Sequence, residues 1–144
     1  MNKELISYFN RYLNQLSKEI KAYTNEADLW KVQGAISNSG GNLCVHLLGN
    51  LNHFIGAVIG KTGYVRKRDE EFSIKEVPRE EMLVQIEETK RMLAVVLEKA
   101  DLDAPFPPVF YNEEGTTRYF LYRFMAHLAY HVGQINYHRR LLNN

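Results

Sequence analysis

The sequence predicts an all-α protein built as a four-helix bundle, and three observations carry that expectation. Apolar residues recur at spacings of three and four in four separate stretches, and no stretch alternates with a period of two. The 4 prolines all fall between those stretches, three of them in DLDAPFPP, while Gly49 and Gly56 lie within the second stretch and weaken its helix propensity. The five histidines fall in only two of the stretches, at repeats that bring each set back to a common helical face: His46 and His53, then His127, His131 and His138.

The first predicted helix runs from about Asn2 to Tyr23. Leu5, Phe9, Tyr12, Leu13, Leu16 and Ile20 mark its apolar face, and Lys3, Glu4, Asn14, Lys18 and Lys21 its wet one. Thr24 to Ser39 is polar, is broken by Gly34 and is anchored by Trp30, so it reads as a loop with one short helical turn, in which Trp30 could cover one end of a site. Asn38 or Ser39 can cap the second helix, about Gly40 to Ile59, whose near absence of charge makes it central and buried. Lys61 to Arg79 is a long polar connection, longer than a tight helical hairpin needs, so the helices on either side need not be antiparallel. Pro78 can open the third helix, about Arg79 to Ala100, at its first turn, and the prolines of DLDAPFPP end it. Glu114, Gly115 and Thr116 form the cap region of the last helix, Thr117 to Leu142.

Composition narrows the function classes. A chain of 144 residues, 45% apolar and 24% charged, is one globular domain, 1–144, that needs no disulfide to fold. A net charge of +1 provides no basic face for nucleic acid, and no membrane partner is expected because no run of about 18 apolar residues is uninterrupted. The N-terminus carries charges in its first turns and lacks the apolar core of a signal peptide. With the single Cys44 ruling out an internal disulfide, a soluble, cytoplasmic protein is expected.

Chemistry enters with the histidines. His127 and His131, four apart, stack one above the other and can share one ion, while His46 or His53 on another helix can add a third ligand. Neutral imidazole suits zinc, nickel, iron or copper, so binding should weaken as pH falls through roughly 6. Cys44 lies about 200° around the helix from His46 and reads as a small buried hydrophobe. His138, beside Arg139 and Arg140, is placed near an exposed helix end with no ligand role. Arg66, Lys67 and Arg68 read as a solvated loop, since Asp69, Glu70 and Glu71 follow and cancel their field.

The strings HLLGNLNHF, RKRDEEF and HLAYHVGQINYHRRLL, in that order, resemble the DinB superfamily of four-helix metalloproteins, which includes YfiT-like proteins, bacillithiol transferases and mycothiol-dependent isomerases. The resemblance implies a bundle in up, down, down, up order, with a long connection between helices 2 and 3. It also implies a divalent metal, zinc or nickel foremost and iron as a further choice, held by His46, His127 and His131. The activity it implies is a metal-dependent transfer of a low-molecular-weight thiol onto an electrophilic small molecule, or a metal-dependent hydrolysis. A non-catalytic metal- or ligand-binding stress-response module is the alternative, and a homodimer is expected on the same ground. His53, about 10 Å along the axis from His46, is too far to share the ion, so it, Asn50, Gln134 and Tyr130 are the candidates for the pocket or for orienting the ligands.

Overall fold

The apolar stripe of the first amphipathic segment, Leu5, Phe9, Leu13, Leu16 and Ile20, is buried along one side of α1, Lys3–Ala22, in the computed structural model. The structure describes residues 2–108 and 112–143, so the remaining residues of the expected 1–144 domain lie outside the description. A 3₁₀ turn, Glu26–Trp30, follows α1, with the Asn25 side chain accepting from the Ala27 amide. Trp30 lies against Gly41, where any Cβ would collide with its ring, so it packs on the start of the next helix.

Ser39 supplies the expected cap of α2, Gly40–Leu51, accepting from the Asn42 amide at 3.1 Å. Beyond Leu51 the helix continues over Asn52–Ile59 with its hydrogen bonds shifted to the fifth residue back, as in Gly60 N to Ile55 O at 2.9 Å. Such π-helical widening is concentrated at functional sites, and periodicity alone had predicted one uninterrupted α-helix here. The connection that follows is not all loop: Arg68–Ser73 forms the short α3. The buried Asn42 ties α3 to α2, its Nδ2 donating to Glu71 O at 3.1 Å and Ile74 O at 2.8 Å.

Pro78 stands at the N-cap of α4, Arg79–Lys99, one position earlier than expected. Thr116 caps α5, Thr117–Leu142, accepting from the Tyr119 amide at 3.1 Å. The free amides of Thr117 and Arg118 reach Ala104 O and Leu102 O, so the proline-rich approach to α5 satisfies its first turn. Among the described residues there is no strand, only an isolated bridge between Pro105 and Thr116.

Paired contacts fix the helix directions. Asn2 meets Leu97 and Ala100 while Arg79 meets Lys21 and Tyr23, so α1 and α4 are antiparallel. Asn52 meets Thr89, and Gly56 and Gly60 face Met92 and Val96, so α2 with its continuation runs parallel to α4. Gly40 lies by His138 and Phe54 stacks on Phe124, making α2 and α5 antiparallel. A parallel pair cannot be joined by a hairpin, which is why the segment between Ile59 and Arg79 must travel back along the molecule and can drape over the side of α2. Gly40–Ile59 is long and apolar enough to cross a membrane by length and composition, with a mean hydropathy of 1.2, yet 67% of it is buried inside the protein. It is the central core helix.

His138 corrects the sequence expectation. It is 8% exposed: its Nε2–H donates to Lys31 O at 2.8 Å, which leaves Nδ1 bare to accept from the Tyr23 hydroxyl at 2.7 Å. A helix end beside two arginines need not face water, because here Arg139 folds onto the buried Glu19 at 2.7 Å and the 3₁₀ turn closes over the other side. Burial also raises the Tyr23 phenol far above its ordinary value, so it is a permanent donor. Tyr23→Phe should therefore cost about 1–3 kcal/mol, the price of a buried imidazole nitrogen left without a donor. Urea unfolding checks this, and an unchanged midpoint would show that the pair adds nothing to stability.

Candidate metal centre

The second and last helices lie side by side, and His46 on α2 faces His127 and His131 on α5. One ligand atom from each of the three falls within 4.8 Å of the others. The rings meet edge to face, with centroids 4.5 Å apart for His127 and His131, 5.0 Å for His46 and His127 and 5.4 Å for His46 and His131. Two ligands on a tetrahedral zinc, each at 2.0–2.1 Å, sit about 3.3 Å from one another. His46 Nε2 and His127 Nε2 are 3.1 Å apart.

What each ring does with its other nitrogen decides how the set can act. His46 Nδ1 is 3.0 Å from Glu71 Oε1, and a carboxylate only accepts, so Nδ1 carries a proton and donates it, while Nε2 points towards His127. His131 Nδ1 donates in the same way to Gln134 Oε1 at 2.6 Å. His127 Nδ1 is buried without a partner, and so is Asn50 Oδ1 on the facing helix. Two of three imidazoles thus have their second nitrogens occupied by acceptors, the arrangement that orients ligands and raises their basicity.

Glu71 belongs to a wider device. Arg66 forks onto it, Nε to Oε2 at 2.8 Å and Nη2 to Oε1 at 2.9 Å, and Nη2 also lies 3.4 Å from His46 Nδ1. Burial pushes the Glu71 carboxyl up, but hydrogen bonds from His46 and Arg66 outweigh it and hold the pKa below the ordinary value. Gly49 makes this possible, since a Cβ there would overlap the carboxylate. Lys67, Arg68, Asp69 and Glu70 are exposed as the sequence predicts, but Arg66 and Glu71 at the two ends of the run turn inward. The sign cancellation noted in sequence is real, but it takes place in a buried fork beside His46.

Electrostatics favour the neutral form of the two α5 histidines. Burial lowers the pKa of His127 to about 4, helped by the neighbouring His131, His46 and the Arg66 charge. Burial also lowers His131, against the pull of Gln134 in the other direction. A neutral imidazole is the form that binds a metal.

The remaining candidates separate. His53, half-buried on the π-helical segment, leans on Phe54 with centroids 4.8 Å apart, and its pKa is lowered by burial and then by Arg66; it is not a member of the three-histidine set. Tyr130 is 64% exposed and touches His131 ring to ring. Cys44 is fully buried and its thiol is pushed up to about 12 by that burial, which excludes an accessible thiolate nucleophile. A surface hollow of about 940 Å³ is lined by α1 alone and contains none of the histidines.

With this geometry in hand, a family model described as "Protein of unknown function (DUF1572)" matches residues 2–144. The chain belongs to the DUF1572 family. No curated protein matches it. Within this DUF1572 chain, Glu71, Arg66 and Asn42 are the site-building residues that sequence reasoning passed over. A signal for them existed: Gly49, in the middle of an otherwise apolar buried helix and three residues after His46, marks a place where another group approaches the backbone.

Proposed function

We propose that this protein is a divalent-metal-dependent enzyme of the DinB, YfiT-like type, its ion held by His46, His127 and His131. The observation that supports this reading is the convergence of three imidazoles from two helices, two of them braced from behind by Glu71 and Gln134. The antiparallel α1 and α4, the parallel α2 and α4 and the long connection between them support the bundle assignment. Zinc or nickel, with iron as a further choice, suits an all-imidazole set.

Three protein ligands are the pattern of catalytic sites, which keep a position open. A divalent ion bound there lowers the pKa of water or of a thiol towards neutrality. The chain's own groups do the rest. Glu71 fixes the His46 ring by taking its Nδ1 proton into a hydrogen bond, and the Arg66 fork keeps that carboxylate in place and ionised. Gln134 does the same for His131. The reaction we assign is transfer of a low-molecular-weight thiol onto an electrophilic small molecule, with metal-dependent hydrolysis as the nearest variant, in a soluble, cytoplasmic homodimer.

Elemental analysis of protein purified without a polyhistidine tag or chelator tests the metal, with about one transition metal per chain expected. Its pH profile follows from the rings. Since the pKa values of His127 and His131 are lowered, protons compete with the metal less than at an ordinary imidazole of roughly 6.5. Metal content should hold from pH 8 to about 6 and be lost as pH falls towards about 4, lower than the sequence expectation. No uptake of zinc, nickel or iron at pH 7 would leave a metal-free binding module as the better reading.

A further inference from the structure

Next to the histidines, α5 and the segment before α2 enclose a cleft of about 650 Å³, within the size range of small-molecule sites. Its walls include Ile36, Leu43, Tyr130, Tyr137 and Leu141, and His131 with its partner Gln134 stands in the same wall. None of the residues lining it is an aspartate, glutamate, lysine or arginine. Of the two arginines whose charge reaches His127, Arg66 is taken up by the Glu71 fork and Arg68 lies over the Phe72 ring, and neither lines this cleft. Arg139 is likewise folded onto Glu19, and Arg140, which does not line the cleft, lies over the ring of Tyr137.

A cleft with no fixed charge cannot offset the desolvation of an ionic ligand, whereas its apolar side chains gain from covering hydrocarbon. Ile36, Tyr130, Tyr137 and Leu141 are between 48% and 82% exposed, a group of large apolar side chains on one rim. Such a patch beside a polar site is where a ligand body rests. We infer that this cleft is the substrate cleft of the proposed centre, and that it takes an uncharged small molecule with an alkyl or aryl body, its reactive end directed towards His131. This rests on the metal-centre reading for the word substrate. The selectivity for neutral, apolar ligands rests on the cleft alone.

The test uses the full chain, first free of metal. Methyl-resolved NMR follows titration with 1-alkanols from butanol to octanol and with octanoate. Each added methylene should tighten binding about three- to fourfold, with shifts at Ile36, Leu43 and Leu141. Octanoate should bind at least about tenfold more weakly than octanol, and Ile36→Asp, at an exposed position, should cost octanol about tenfold while leaving the fold intact. Octanoate binding as well as octanol would overturn the inference, as would shifts confined to the other apolar hollow near Tyr8 and Tyr122. A second titration, with 1-octanethiol before and after zinc loading, tests the link to the centre. A gain of about tenfold or more on loading joins cleft and metal; an unchanged affinity separates them and overturns the cleft's role as substrate site. If no zinc is taken up, the metal reading fails while the alkanol series still decides the cleft.

Discussion

His127→Ala will bring the zinc content of the purified protein from about one per chain to background, and His138→Ala will leave it unchanged. The two residues lie on the same helix, eleven apart, and return to nearly the same face, so sequence spacing does not tell them apart. The structure does. His127 Nε2 lies 3.1 Å from His46 Nε2 inside the three-histidine set, whereas both nitrogens of His138 are committed to Tyr23 and Lys31 at the other end of α2. Removing His127 leaves two imidazoles, too few to compete with water for a divalent ion at micromolar concentration. Removing His138 leaves the Tyr23 hydroxyl only the longer contact to Ile135 O at 3.4 Å, leaves Lys31 O without its donor and opens a small cavity, so it should lower stability by about 1–3 kcal/mol while the site survives. Elemental analysis and urea unfolding on both variants separate the roles. Equal zinc in the two would dismantle the triad.

Glu71→Ala should produce the largest loss of stability of any single change at the site. The Arg66 side chain is only 10% exposed and spends two of its donors on this carboxylate, and His46 Nδ1 spends its one. Removing the acceptor leaves a charge in poor solvent and an imidazole proton unpaired, which costs about 3–5 kcal/mol for a buried ion pair broken from one side. Because the same carboxylate orients His46, zinc affinity should fall about 10- to 100-fold as well. A second variant keeps the two effects distinct. Arg66→Leu combined with Glu71→Leu removes both charges, so much of the stability should return while the affinity stays low, His46 still lacking its acceptor. Full zinc affinity in Glu71→Ala would show that His46 holds its place through packing against Phe72, whose ring centroid is 4.8 Å away.

The unequal legibility of the chain has a physical origin. The four long helices were readable because each carries its own periodic apolar stripe and local caps, as with Ser39 and Thr116, which act over three residues of sequence. The π-helical stretch after Leu51 was not, since one extra residue per turn barely alters an apolar pattern in which every face is buried or half-buried. The short α3 was hidden for a different reason. Six residues, RDEEFS, are below the length at which a helix holds by itself, and this one is fixed by the amide of Asn42, 29 residues earlier.

The sequence by itself determined the all-α class, the four long helical segments, and the four-residue spacing that makes His127 and His131 able to share a ligand with a histidine of the second helix. These are local properties, written in neighbours three and four apart. Only the tertiary structure decided that His138 turns to Tyr23 and Lys31, that His53 stays outside the set, and that a run of charges reading as solvent-facing loop delivers Arg66 and Glu71 to the back of His46. Those outcomes depend on which helix lies beside which. The parallel course of α2 and α4 obliges the connection to return along α2, and the missing side chain at Gly49 gives its carboxylate room to reach the histidine.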